Sequence, residues 1–450
     1  MKINKLLNNI KSIKIEFIYL IIGLAWGTTM VFLTPPFQVA DETHHYYKSA
    51  SIAEHNFICE SSDGILLSAD KANFPHLMQV GPVRAKESQY INSYSNPNEE
   101  GLISARMSIC YSLPFGHIIA GAGLFIGDLF TDNELVSFYF GRMANLLFAT
   151  ILTYYSIKRI PYGKRILFVF ALLPMTLFQY ASYSYDAIHI SLFIFYLAYV
   201  LDILHKSKQP NNTQLTVIGL LITVISNIKI GYYPLFLSIF LLPFNWKNKR
   251  KVFKYFLILI LTNILLILIR SKVLGNGLIT YELANPIEQI KYILTHPIDF
   301  SAIIVNTFIS EIRVLYYGII SRLGWGGDYY LMPFDYYQFT MFPLMFIFTK
   351  KEKTSLTKKT RIILLLSGLL TILLVSIALY AINTQLYSPS IRGLVGRYFT
   401  LPLLLIFFAL YQFNFKEFFN KHSYIMPLII FFSLIRIIYV TIQSTFDRFY

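Results

Sequence analysis

Apolar residues in this chain come in long uninterrupted runs. Uncharged stretches cover Phe17–Ala40, Ile166–Tyr185, Thr213–Ile228, Ile230–Trp246, Tyr255–Ile269, Ile362–Ile391 and Tyr398–Phe415. Several approach or exceed the roughly 20 residues an α-helix needs to cross a bilayer. The pattern predicts an all-α polytopic membrane protein, a single integral membrane domain over residues 1–450. Two long segments interrupt the runs, 35–134 and 271–335. Each holds one apolar stretch of its own. Leu113–Phe130 is short and carries Gly, Pro and His, which suits an interfacial or re-entrant helix. Ile298–Ser321 has Glu311 and Arg313 near its middle, which is costly in hydrocarbon. It is read as a second helix lying on the membrane surface.

Charge sets the direction of each span. Basic residues cluster between the apolar runs, at Lys158–Arg165, His205–Lys208, Lys247–Lys254 and Lys350–Arg361. Such clusters stay on the cytoplasmic side. The N-terminus carries Lys2, Lys5, Lys11 and Lys14, so it is cytoplasmic and the first helix runs outward. That first run is too long for the apolar region of a signal peptide and has no small-residue cleavage site before Pro35, so it is retained. Spans then follow at Leu135–Ile157, Ile166–Tyr180, Ala187–Leu204, Thr213–Ile228, Gly231–Trp246, Tyr255–Ile269, Asp335–Thr349, Ile362–Ile382, Tyr398–Phe413 and Ile425–Val440. The threading predicts about eleven transmembrane helices with the two interfacial helices on the outer face.

Composition agrees with this reading. Hydrophobic residues make up 55% of the chain and charged residues 14%. A soluble protein carries about 25% charged residues. The net charge is +15, which on a soluble chain would suggest nucleic acid. Here the inward-facing clusters account for it, and no nucleic-acid partner is expected. Cys59 and Cys110 both fall in the first outer segment; a disulfide and two free thiols fit equally.

The threading gathers polar residues at one membrane face. "PPFQVADETHH" brings Asp41, Glu42, His44 and His45 to the exit of the first helix. Arg142 opens the next span. "FQYASYSYD" ends in Asp186, and "IKIGYYP" contains Lys229. "LGWGGDYYLMPFD" contributes Trp325, Asp328 and Asp335. "SPSIRGLVGRYF" contributes Arg392, Arg397 and Tyr398. Asp41 and Glu42 follow two prolines that fix the chain, and a carboxylate desolvated there suits a general base. A solvated acidic pair fits the local sequence equally well. His44 and His45 could contact substrate, help a base or bind metal; with no second ligand pair at helical spacing, solvated histidines are the simpler reading. Arg392 and Arg397 run against the inward bias of positive charge. A forked phosphate clamp and lipid-headgroup anchoring both explain them. Asp186 reads most simply as a cap on the helix that follows.

"PPFQVADETHHYYKSASIAE" resembles the opening signature of a bacterial membrane-protein family of unknown function. "LLPMTLFQYASYSYDA", "KIGYYPL", "GWGGDYYLMP" and "GLVGRYFTLPLLL" follow in the family's order, and the matches cover Pro35 to about Leu405. Ala40 stands where that family usually has proline. The family in turn resembles the GT-C superfamily of integral membrane glycosyltransferases. That resemblance implies a GT-C-like fold and an acidic motif, here Asp41-Glu42, in the first outer loop. It also implies a polyprenyl-phosphate sugar donor and interfacial helices beside the active site.

The expected activity is inverting glycosyl transfer from the lipid carrier to a hydroxyl of a cell-envelope glycan or lipid, at the outer face of the cytoplasmic membrane. Asp41 is expected as the base, with Glu42 assisting or taking that role. Arg392, Arg397 and Lys229 are expected on the lipid phosphate, with Arg142, Asp328 and Tyr398 as further substrate contacts. No obligatory cofactor is expected, and a divalent cation is left open. The competing class is a flippase or transporter of lipid-linked sugars. It would place ionisable groups at mid-bilayer, where only His189 and Arg436 qualify readily. A polymerase joining lipid-linked oligosaccharides shares the outer arginines.

Overall fold

The computed structural model describes residues 14–57, 64–78, 101–106, 109, 112–206, 209–243, 249–272, 283–324, 335, 340, 356–410 and 425–450. Asp328, Trp325, Cys59, Cys110 and most of the span expected at 335–349 lie outside them.

Among the described residues, five helices are long and apolar enough to cross a membrane. They lie within α1 (Ile15–Leu33), α5 (Glu134–Arg159), α8 (Asp186–Lys206), α10 (Lys249–Lys272) and α14 (Lys358–Asn383). A bent pair, α11 (Pro286–Thr295) and α12 (Pro297–Ser310), would make a sixth crossing if it counts as one span, but it turns through 107° at its break. Shorter apolar helices complete the set: α4 (Ile118–Phe130), α9 (Asn212–Ile228), α15 (Thr400–Leu410) and the 3₁₀ helix Ile230–Leu241. The C-terminal helix α16 spans Ile425–Phe449.

Several expected spans are interrupted. Ile166–Tyr180 divides into α6 (Lys164–Ala171) and α7 (Pro174–Tyr180). Pro174 takes the first position of α7, where its missing N–H leaves no helical bond unmade. Gly231–Trp246 is wound as a 3₁₀ helix only as far as Leu241, with Pro234 inside it. Ile298–Ser321 is not one helix either. It breaks at Glu311 into α12 and α13 (Ile312–Ile320).

The first polar segment adds one small two-stranded sheet to a chain that is otherwise helical, as the all-α expectation has it. α2 (Glu42–Ala53) is followed by β1 (Gly64–Ser68), α3 (Ala69–Leu77) and β2 (Leu102–Arg106). The strands pair antiparallel, with Gly64 opposite Arg106 and Ser68 opposite Leu102. This small unit docks on α4 and α5 through an aromatic core of Phe37, Tyr46, Phe74, Phe138 and Tyr183. Lys71 ties it electrostatically to Glu134 at 2.9 Å and Asp128 at 3.2 Å. Burial works against the Lys71 ammonium, but those two carboxylates outweigh it and hold its pKa above the usual lysine range.

α8 is the most deeply buried of the candidate spans, with α5, α7 and α9 packed on it. Ion pairs mark the two ends of this bundle. At one end Arg142 meets Glu42 and Lys229 meets Asp186. At the other end Lys164 faces Glu16 at 3.8 Å, and Asp202 accepts from Arg159 at 3.0 Å and Lys206 at 2.9 Å. Helices α1, α5, α6–α7, α8 and α9 therefore run alternately between the same two ends, α5 and α8 in one direction and α1, α6–α7 and α9 in the other.

Candidate functional site

The site grows out of the turn that ends α1. The helix stops at Leu33, and Pro35 and Pro36 carry the chain away from it. Phe37 and Asp41 both adopt left-handed backbone angles, φ 61° and 63°. Such angles are uncommon for non-glycine residues. Something must hold them, and the pair Glu42–Arg142 does.

Both side chains of that pair have no solvent exposure. Arg142 donates from Nε to Glu42 Oε1 at 2.9 Å and from Nη2 to Oε2 at 2.6 Å. Its remaining donors reach the carbonyls of Val31 at 3.0 Å, Thr34 at 2.5 Å and Pro35 at 3.1 Å. All five guanidinium N–H groups are thus used. Glu42 also accepts from the backbone N–H of Phe37 at 3.0 Å and of Tyr183 at 3.2 Å. One ion pair therefore joins the end of α1, the proline turn, α2, α5 and the loop between α7 and α8.

Asp41 sits immediately before this anchor and differs from Glu42 in every respect. Its side chain is 55% exposed, and its Oδ2 faces Arg397 Nη2 at 3.4 Å. Arg397 turns its Nε toward Asp186 Oδ2 at 3.8 Å, beyond hydrogen-bond length. That Nε is buried and has no hydrogen-bond partner among the described residues. Asp186 pairs closely with Lys229. Burial lowers the pKa of the Lys229 ammonium, and Asp186 opposes the effect. Lys229 also lies 5.0 Å from the Tyr185 ring and 4.7 Å from the Tyr398 ring. The four charged groups form a chain, Asp41, Arg397, Asp186, Lys229, lined with tyrosine faces.

Backbone packing positions Arg397. It lies in the 3₁₀ turn Gly396–Phe399 that leads into α15. A Cβ on Gly396 would fall 2.0 Å from the Leu315 carbonyl and 2.5 Å from Ile319 N. A Cβ on Gly318 would fall 2.8 Å from Gly396 N. Only two glycines let α13 press this closely on the turn.

Histidine shapes the other flank. His45 Nδ1 lies 2.9 Å from His117 Nε2, and the Tyr185 ring stands edge-on to His45 at 4.7 Å. Burial pushes the His45 pKa down to about 4 and that of His117 well below its usual value. Burial lowers His44 too. Lys48, one turn further along α2, is lowered by burial to about 8. His45 is therefore a buried neutral ring rather than a solvated one.

The structure thus brings together Asp41, Lys229, Arg397 and Tyr398, with Glu42 and Arg142 packed beneath. Arg392 is exposed on the loop before Arg397, and its backbone N–H donates to Thr384 Oγ1 at 3.0 Å. Asp186 belongs to the cluster instead of simply capping α8. Its signal in the sequence was an acid at a span end expected at the same membrane face as Lys229. Tyr185, His117 and the Gly318–Gly396 contact carried no distinguishing pattern. Asp335, assigned to the same face, is buried and pairs with Arg436 at 3.1 Å. Among the described residues no three His, Cys, Asp or Glu side chains group in a way that could hold a metal ion.

No curated protein and no solved structure matches this chain. A family model does, over residues 24–407, and this span contains every residue of the cluster. By that match the chain belongs to the family described as predicted membrane protein DUF2142.

Proposed function

We propose that the protein is a membrane glycosyltransferase of GT-C type that moves a sugar from a polyprenyl-phosphate carrier to a hydroxyl of a cell-envelope glycan or lipid. The observation that carries this reading is the Asp41–Arg397 pair. A half-exposed carboxylate stands beside a guanidinium that has a buried, unbonded N–H and only long contacts to two acids. Such a guanidinium suits an incoming phosphate, which it can bind in a fork.

Asp41 then acts as base. It takes the proton of the acceptor hydroxyl as that oxygen attacks the anomeric carbon. The bond from this carbon to the phosphate oxygen breaks, and its electron pair leaves with the lipid phosphate. Arg397 and Lys229 balance that charge. Attack opposite the leaving group inverts the anomeric centre. Glu42 has a different part in this reading. Its oxygens already accept four hydrogen bonds, so no lone pair is left for a proton, and its role is to position Asp41.

The cell membrane is the proposed location, with the cluster on the outer face and the basic ends of α5 and α8 inside. Transfer by purified protein, assayed across polyprenyl-phosphate monosaccharides, tests the reading. Asp41→Asn should lower transfer roughly 10²–10⁴-fold with an unchanged melting temperature. Full activity in that variant would remove Asp41 as base. Intact envelope glycans in cells lacking the gene would count against the whole assignment.

A further inference from the structure

The end of the bundle remote from Asp41 contains a groove with a cavity volume of about 640 Å³, between α5 and α8. Its long walls are apolar, formed by Leu152 and Tyr155 from α5 and Phe195 from α8. Its mouth is charged, with Lys158, Arg159 and Lys206 around the single carboxylate of Asp202. Helical spacing builds this division. Residues 152, 155 and 159 recur at three- and four-residue intervals, as do 195, 199, 202 and 206, so each set shares one helix face. Apolar side chains occupy the inner turns and cations the last one.

The mouth is already organised. Asp202 accepts from Arg159 at 3.0 Å and from Lys206 at 2.9 Å. The Arg159 guanidinium also lies over the Tyr199 ring at 4.1 Å, and its Nε has no hydrogen-bond partner among the described residues. Three cations against one carboxylate leave a net positive mouth. The outer side of α5 exposes Leu147, Ile151 and Tyr155, the surface expected of a lipid-facing helix. An anion that enters here meets a cationic rim first and an apolar channel behind it. A free phosphate would leave that channel unfilled, whereas an acyl chain fits it.

We infer that this groove binds an acidic phospholipid of the surrounding leaflet. The headgroup phosphate sits at Lys158, Arg159 and Lys206, and an acyl chain lies along Leu152, Tyr155 and Phe195. Basic pockets between membrane helices bind acidic headgroups in this way. The site lies at the opposite end of the bundle from Arg397 and does not depend on the proposed transfer activity.

Native mass spectrometry of the purified full chain tests it, with phosphatidylglycerol, phosphatidylcholine, glycerol 3-phosphate and undecaprenyl phosphate as probes. The wild type should retain phosphatidylglycerol in clear preference to phosphatidylcholine and glycerol 3-phosphate; undecaprenyl phosphate, which the proposed active site also takes, is compared in the Arg397→Ala background. Replacing both Lys158 and Lys206 with Ala should weaken that retention roughly 30-fold, from roughly fivefold per surface cation. Leu152→Trp keeps every charge and fills the channel, and it should also lose the lipid. Arg397→Ala should leave retention unchanged. Equal retention of phosphatidylcholine, or wild-type retention in both groove variants, would overturn the inference. Competition by glycerol 3-phosphate at similar concentration would reassign the mouth to a soluble phosphate. Preferential retention of undecaprenyl phosphate by Arg397→Ala, lost again when Leu152→Trp is added, would overturn it in favour of the carrier lipid.

Discussion

Two neighbouring carboxylates meet opposite environments here. Asp41 is half exposed with one long contact, while Glu42 is sealed beneath it with four hydrogen bonds. Their substitutions should separate accordingly. Glu42→Gln leaves Arg142 buried with its charge uncompensated, and breaking a buried pair costs about 3–5 kcal/mol. Thermal unfolding in detergent should show that loss, and activity should fall with the folded fraction. Asp41→Asn should change stability by less than about 0.5 kcal/mol, the usual range for an exposed position. A stable Glu42→Gln protein with low activity would instead make Glu42 the base. Local sequence made the two acids adjacent and alike. What distinguishes them is Arg142, itself held by the carbonyls of Val31, Thr34 and Pro35, together with the N–H groups of Phe37 and Tyr183 that complete the shell around Glu42.

At the scale of elements, the docking of α2 onto the turn before α4 rests on a pair of neutral histidines. Burial holds His45 at about 4 against an ordinary value of 6.5. Above pH 6.5 the folded and unfolded forms are both neutral and the docking is at full strength. Below that value the unfolded segment binds a proton that the packed ring refuses. Stability of this region should therefore fall as the pH drops from 6.5 to about 4. Hydrogen exchange of α2 at pH 7 and pH 5, corrected for the intrinsic amide rate at each pH, measures it, with lower protection factors expected at the lower pH. His45→Gln should flatten the dependence; an unaltered pH response in that variant would place the titrating group elsewhere. The same scale explains the interrupted spans. Hydropathy registers apolar length, but Pro174 lacks the N–H that one continuous helix through Leu172 and Leu173 would need.

Across the whole molecule, charge is segregated by end. Asp41, Asp186, Lys229 and Arg397 meet at one end, and Lys158, Arg159, Lys164 and Lys206 collect at the other. The positive-inside rule predicts that the second of these ends faces the cytoplasm. Single cysteines at position 158 should resist an impermeant thiol reagent in intact cells, and at position 291 should react. Both experiments use a background lacking Cys59 and Cys110. Labelling of position 158 from outside would invert the orientation and move the proposed active site to the cytoplasmic face.

The membrane class, the two ends of the bundle and most of the polar cluster were legible in the sequence. Uncharged runs and basic clusters are one-dimensional quantities, and bilayer thickness converts the longest runs directly into helices. Arg397 and Lys229 could be paired with Asp41 because alternating spans return their ends to the same face. Tertiary structure alone decided the rest. Asp186 becomes a member of the cluster only when Lys229 and Arg397 arrive from distant helices. His45 becomes buried only when His117 packs on it. The β1–β2 pairing depends on contact between segments far apart in the chain. Glu42 and Asp41 exchange few local signals, yet one is an anchor and the other is open. Burial and hydrogen-bond saturation are properties of the surroundings of a side chain, and those surroundings exist only after the chain has folded.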